Sequence, residues 1–101
     1  MHGPQYRLIP EGRAQVLTKL QSAQEGVLAS GRVLEGQVSQ GSFARISRNR
    51  RAVWTGRISR LRVAKGAGPA AVGQECLLAF GDFRDFQPGD LVEVFQLEST
   101  T

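Results

Sequence analysis

Glycine recurs every five residues at positions 26, 31, 36 and 41, and only short apolar pieces fit between: Val27-Leu28-Ala29, Val33-Leu34 and Val38. Glycines at that spacing among short strands imply tight corners and sharply bent strands, as in a small barrel. A solenoid would need the period to continue, and it stops at Gly41. The rest of the chain reads in the same way. Residues 13–20 suggest a first strand, with Ala14, Val16 and Leu20 on one parity, although Leu17 breaks the alternation. A helix over residues 13–24 competes, because Ala, Leu, Lys and Gln all favour helix. Residues 22–26 read as a turn.

Residues 43–47 are the next strand, and residues 48–51 a polar reversal in which Asn49 tolerates a positive φ. Residues 52–61 resume as one long strand, with Ala52, Trp54, Gly56 and Ile58 on one parity. Two such runs joined by a short polar link make a hairpin. Residues 64–73, rich in Gly and Ala with Pro69, read as a mobile loop. Residues 75–80 form a short, nearly continuous apolar run, read as a buried strand. Pro88-Gly89 marks a turn within residues 85–90, and residues 91–95 close the pattern. Six or seven short strands at even spacing predict an all-β sandwich or closed barrel. The domain is expected over residues 13–97, with residues 1–12 a linker or flexible segment and residues 98–101 a flexible tail. Val33, Ile46, Trp54, Ile58, Leu78, Val92 and Val94 are expected to point inward, with Phe80, Phe83, Phe86 and Phe95 also core.

Composition narrows the function. A chain of 101 residues with 41% apolar and 22% charged residues is one ordinary globular domain. Its apolar runs fall far short of the ~18 residues of a membrane span, so it reads as a soluble, monomeric chain with no membrane partner. One cysteine, Cys76, and one histidine, His2, leave no internal disulfide, no expected metal site, and no Ser/His or Cys/His pair for covalent catalysis. An enzyme is not expected.

Charge is distributed unevenly. Residues 36–74 carry seven Arg and one Lys with no acid, whereas residues 75–101 carry six acids and one Arg. Arg outnumbers Lys eleven to two. The guanidinium fork matches phosphate and stacks on bases, so an RNA partner fits; a merely solvated basic surface also fits.

Gly31, Gly36 and Gly41 followed by Phe43 and Ile46, then Arg48, Trp54-Thr55-Gly56-Arg57-Ile58, Leu61-Arg62, Gly73-Gln74-Glu75-Cys76, Phe83, Asp85, Pro88-Gly89-Asp90 and Val92-Glu93-Val94-Phe95 form an ordered series. In order and spacing it resembles the C-terminal barrel of the bacterial-type translation initiation factor two family, over about residues 12–97. The resemblance implies a small closed Greek-key β-barrel of the translation-factor type. It implies a role in translation initiation: binding the formylmethionyl acceptor end of initiator tRNA, within a longer GTP-dependent factor that works on the ribosome. No phosphate-binding loop is present in this chain, so GTP would belong to the full-length factor and no cofactor is expected here. The runner-up is a protein-interaction or spacer barrel that does not touch RNA.

The resemblance implies a formylmethionyl-tRNA-binding set of Gly31, Arg62, Lys65, Glu75, Cys76 and Leu77. The family's Glu-Cys-Gly falls on Glu75-Cys76-Leu77, so a glycine is lost. Its basic loop falls on Leu61-Arg62-Val63-Ala64-Lys65, one residue shorter and without the aromatic, and Gly31 matches a site often held by Cys. A Gly/Ala-rich loop and Arg in place of Lys lean toward a mitochondrial matrix protein, with the bacterial cytoplasm as the alternative. Arg62 and Lys65 would contact the terminal phosphates or ribose. Glu75, Cys76 and Leu77 would line a small pocket for the formylated amino acid, with Glu75 paired to Arg62. The α-amine of an unformylated aminoacyl end is largely protonated near neutral pH, and placing that cation against an apolar wall costs desolvation. Formylation turns it into a neutral amide. Read without the resemblance, Cys76 is a buried small hydrophobe, and Arg62, Lys65 and Glu75 are solvated surface charges.

Overall fold

The computed structural model describes residues 5–64 and 68–99, and all regular structure in them is strand. The strands are β1 (Tyr6–Ser22), β2 (Gly26–Val38), β3 (Phe43–Arg48), β4 (Arg51–Arg57), β5 (Arg60–Val63), β6 (Ala70–Ala71), β7 (Glu75–Ala79) and β8 (Leu91–Ser99). The all-β expectation holds, and the competing helix over residues 13–24 does not form. Residues 12–15 pair with β2 on one side and β8 on the other, and that pairing, with Ala14 and Val16 fully buried, outweighs local helix preference. Leu17 broke the sequence alternation for a physical reason. The register shifts between Val16 and Thr18, so Leu17 is the extra residue of a bulge.

Gly31 and Gly36 do not separate short strands, as their spacing suggested. They lie inside one strand of 13 residues, β2, and bend it. Gly36 has φ 61° and sits beside a second register shift, where β2 crosses Gly12 of β1. A Cβ on Gly12 would collide with the Gln37 carbonyl, and one on Gly36 with the Glu11 carbonyl. Two backbones can meet this closely only where neither residue has a side chain. Gly41, at φ 88°, turns the chain from β2 into β3.

The strand order is β4-β3-β8-β1-β2-β7-β5, every pairing antiparallel, with β6 paired to β2. The last strand thus returns to lie between β1 and β3, a Greek-key crossover. The two edge strands, β4 and β5, are consecutive in the chain and joined by Ile58 and Ser59 alone. The run expected as one strand over residues 52–61 breaks here. Ile58 bonds back to the β2–β3 turn, its N–H donating to the Ser42 carbonyl (2.9 Å) and its carbonyl accepting from Gly41 (2.8 Å); Ser59 N–H donates instead to the Ala79 carbonyl (2.9 Å). A sheet whose opposite edges are two residues apart must curl upon itself. Among the described residues no ladder joins β4 to β5, so the curled sheet meets at this corner without zipping along its length.

Inside the curl lie Val33, Ile46, Ile58, Leu78, Val92 and Val94, each at most 1% exposed, together with Phe80 and Phe86. Trp54 is half-buried, stacked on Phe83 at 5.4 Å and edge-on to Phe80 at 5.6 Å. Each fully buried side chain of this size contributes about 1.5–3 kcal/mol of transfer free energy. Phe95 is only half-buried, under Arg45.

The N-terminal stretch expected as linker is strand from Tyr6 onward. Tyr6 to Pro10 pair with Ser99 to Phe95 of β8, so Glu98 and Ser99 of the expected tail are also paired, and Arg7 bridges Glu98 at 2.7 Å. Pro10 hid this from the sequence. It falls where the ladder has its register shift, between Pro10 and Gly12, a position that tolerates a missing N–H.

Candidate functional site

Three adjacent strands present the residues that the sequence singled out. On β2, β7 and β5 the register sets Gly31 opposite Cys76 and Cys76 opposite Val63; one residue along, it sets Ser30 opposite Leu77 and Leu77 opposite Arg62. Directly paired residues share a face and successive ones alternate. The Gly31–Cys76–Val63 row therefore faces inward, with Gly31 and Cys76 buried. The Ser30–Leu77–Arg62 row faces outward, with Leu77 half-buried and Arg62 exposed. Between these rows, at the end of β5, opens a cleft of about 250 Å³ lined by Ser30, Arg62, Val63, Ala64, Glu75, Cys76 and Leu77. Four expected site residues thus converge: Arg62, Glu75, Cys76 and Leu77. Gly31 stands behind Cys76 rather than in the lining, and Lys65 lies outside the described residues.

The charges pair differently from the expected Glu75–Arg62 contact. Glu75 bridges Arg32 at 3.1 Å, because those two residues are directly opposed in the β2–β7 ladder. Arg62 reaches across to Glu25 in the β1–β2 turn at 2.8 Å, and Arg60, two residues earlier on the same face, reaches the same oxygen at 3.3 Å. Both side chains of the Glu75–Arg32 pair are more than half exposed, so that pair is worth at most about 1 kcal/mol; Glu25 is only 10% exposed, but it keeps Arg60 as a partner when Arg62 turns to another anion. Glu75 keeps a neutralising neighbour, as the expected chemistry required, but a different one. Arg62 also borders a second cleft of about 420 Å³ with Ser39, Gln40, Leu61 and Pro69.

Cys76 is both core and cleft wall. It is 4% exposed and packs within the buried cluster, and burial pushes its thiol up to about 11. A thiol held neutral near pH 7 is a poor nucleophile and presents an apolar, polarisable surface. The cleft accordingly joins an apolar wall of Val63, Ala64, Cys76 and Leu77 to a rim of Arg62 and Glu75. It can take an uncharged, flexible group on the wall while a cation on the rim meets an anion. Among the described residues no three His, Cys, Asp or Glu side chains gather as a metal site would require.

Sequence reasoning missed Ser30, Arg32 and Glu25. Ser30 and Arg32 flank Gly31 on the strand paired with β7, so only the register reveals them. Glu25 precedes the Gly26 turn, and its side chain, 10% exposed, folds back over β5.

No protein-family model matches the chain. It is similar to translation initiation factor IF-2 of several bacteria. It is 36% identical to that of Pelagibacter ubique over 90 residues, covering 88% of this chain and 12% of that protein. It is 38% identical to that of Malacoplasma penetrans over 78 residues, covering 75% and 13%, and 34% identical to that of Rhizobium etli over 91 residues, covering 89% and 10%. The resemblance read from the sequence holds: the chain is related to one segment of translation initiation factor IF-2, and it spans 10–13% of the length of these curated relatives.

Proposed function

We propose that this chain, a relative of one segment of translation initiation factor IF-2, is a binding module that receives the formylmethionyl acceptor end of initiator tRNA, as the C-terminal domain of a GTP-dependent factor acting on the ribosome. The observation that carries the reading is the convergence of Arg62, Glu75, Cys76 and Leu77 on one cleft. In this reading the methionyl side chain lies on the wall of Val63, Cys76 and Leu77. The formyl amide pairs with polar groups at the Ser30 and Glu75 rim. Arg62 leaves Glu25 for a terminal phosphate. The free α-amine of an unformylated end would keep its charge against that wall at a desolvation cost. The module's work is recognition, with no bond made or broken by its own side chains.

A competition between formylated and unformylated methionyl-tRNA tests the reading. The wild-type chain is expected to prefer the formylated form. Ser30→Trp, on the outward row, fills the cleft without entering the core and should reduce that preference at least tenfold. Cys76→Arg is the poorer probe, because it would place a cation in the buried cluster. Arg62→Ala should weaken both tRNA forms by similar, smaller factors, since phosphate contacts position without reading the amino acid. A folded Ser30→Trp chain that keeps the wild-type preference sinks the assignment. An interaction barrel without RNA contact is favoured by one feature, the exposed apolar face of Tyr6, Leu8 and Leu97. That reading wins if neither tRNA form binds.

A further inference from the structure

The turn between β3 and β4 carries a residue its geometry disfavours. Asn49 and Arg50 are its two central residues, at φ 53° and 65°. A two-residue hairpin turn with both centres left-handed takes Asn readily at the first position and strongly favours Gly at the second. An Arg there holds its backbone in a region that side chains avoid.

The side chains around this turn leave charge unspent. Arg48 turns inward and grips the buried Asp90 with two 2.8 Å hydrogen bonds, and the Asp85 carbonyl with a third. Arg51, directly opposite Arg48 in the ladder, thus faces a cation that is already neutralised. Lys19 Nζ donates to the Arg84 carbonyl at 2.6 Å, so residues 84–85 are fastened to β1 on one side and to the hairpin on the other. Arg50, Arg51 and Arg84 are exposed. Among the described residues they are the arginines whose side chains have no ion pair or hydrogen bond; every other described arginine donates to a carboxylate or, for Arg57, to the Gly41 carbonyl. The nearby acids are Asp82 and Asp85, both exposed, and Asp90, which Arg48 consumes.

We propose that the β3–β4 turn and the neighbouring Arg84 form a second docking surface, for the phosphate backbone of double-stranded RNA, carried by Arg50, Arg51 and Arg84. Guanidinium groups without internal partners match phosphate oxygens and need break no ion pair to do so. The nearby aromatics Trp54, Phe83 and Phe86 are half or fully buried, so the surface has no stacking platform of the kind single strands use. An acidic protein partner would bring an apolar contact core, and Val53 is the one large apolar side chain exposed on this hairpin. Along the sheet β8 and β1 separate this surface from the cleft; round the curl, the seven residues of β4 and the Ile58–Ser59 corner lie between the turn and β5. It goes beyond the acceptor-end reading and does not depend on it.

The test uses a blunt, fully paired, unacylated RNA hairpin, with binding to the whole chain followed by fluorescence anisotropy across a salt series. Three phosphate contacts give a log–log slope of roughly −2 to −3, and each arginine removed lowers its magnitude by about 0.9. Arg50→Gly is the decisive single variant: it suits the turn, so the midpoint of thermal unfolding should hold or rise while RNA affinity falls several-fold. The Arg50→Gly, Arg51→Gln, Arg84→Gln triple variant should lose nearly all salt-dependent binding. Arg7→Gln, at an exposed arginine already paired to Glu98, should leave it unchanged, which separates this surface from a general effect of positive charge. The proposal is overturned if wild type does not bind, if the triple variant binds with the wild-type slope, or if Arg7→Gln costs as much as Arg50→Gly. It is also overturned if polyglutamate or single-stranded polyuridine competes as well as the hairpin itself.

Discussion

At the scale of single residues, three glycines of the β1–β2 ladder separate steric need from conformational need. Gly12 has an ordinary φ, yet a Cβ there would strike backbone. Gly36 has both a positive φ and a collision, and Gly31 has neither, its nearest obstacle being the Gln15 carbonyl at 3.2 Å. Chemical denaturation of the three Ala variants should therefore rank them. Gly12→Ala and Gly36→Ala should each lose roughly 2 kcal/mol or more, and Gly31→Ala clearly less. Equal losses would mean that the β1–β2 crossing can relax. The glycine period in the sequence announced sharp bending, but it could not say that Gly12, outside the period, carries half of the constraint. That fact belongs to the register between two strands.

At the scale of elements, two carboxylates fasten strands to loops. Burial alone would raise the Asp90 carboxyl, but hydrogen bonds from Arg48 and the Gln87 N–H, with the charge of Arg48, hold it below the usual carboxylate range. Glu11 is likewise pushed up by burial and pulled lower by four donors, Ser39, Ser42, Gln37 and Gln96, which tie β1 to the β2–β3 turn and to β8. Carboxyls depressed in the folded state contribute stability that is full above their ordinary values, 3.8 for Asp90 and 4.5 for Glu11, and that is lost as pH falls through the folded values. Acid unfolding should thus begin below about pH 4. Asp90→Asn should make the protein less stable at neutral pH and its acid titration flatter; an unchanged titration would sink the assignment. Sequence reading placed the hairpin and the Pro88-Gly89 turn correctly. It could not see that Arg48 joins them, and it read Arg48, Arg50 and Arg51 together within one polar cluster at residues 48–51. Alternation of faces on β3 and the burial of Asp90 split that cluster into one internal cation and two external ones. Similarly, Glu75-Cys76-Leu77 and Arg62 were legible as a motif, whereas the partners Arg32 and Glu25 depend on ladder register and on the reach of a turn.

At the scale of the whole molecule, one end of the sheet is thinner than the rest. From Tyr6 to Ile9, β1 pairs with β8 alone, and from Gln96 to Ser99 β8 pairs with β1 alone. A two-stranded ribbon has little independent stability. Amide hydrogen exchange should show Arg7 to Ile9 and Gln96 to Glu98 exchanging well before residues 29–32 and 91–94, which are paired on both sides. Similar protection throughout would mean that something further covers the ribbon. The barrel class was legible because parity and turns are local signals; the ribbon was not, because its two strands lie at opposite ends of the sequence. Its geometry also has a mechanical reading. Tyr6 and Ser99 face each other at the ribbon's open end, so tension applied through both ends of the domain separates the strands one hydrogen-bonded pair at a time. A ladder peeled in this way yields at far lower force than one sheared along its length, where all its bonds share the load. Strain passed along a longer polypeptide would therefore unzip the ribbon first, and it would reach the bulges and the glycine crossing before it disturbed the cleft between β2, β7 and β5.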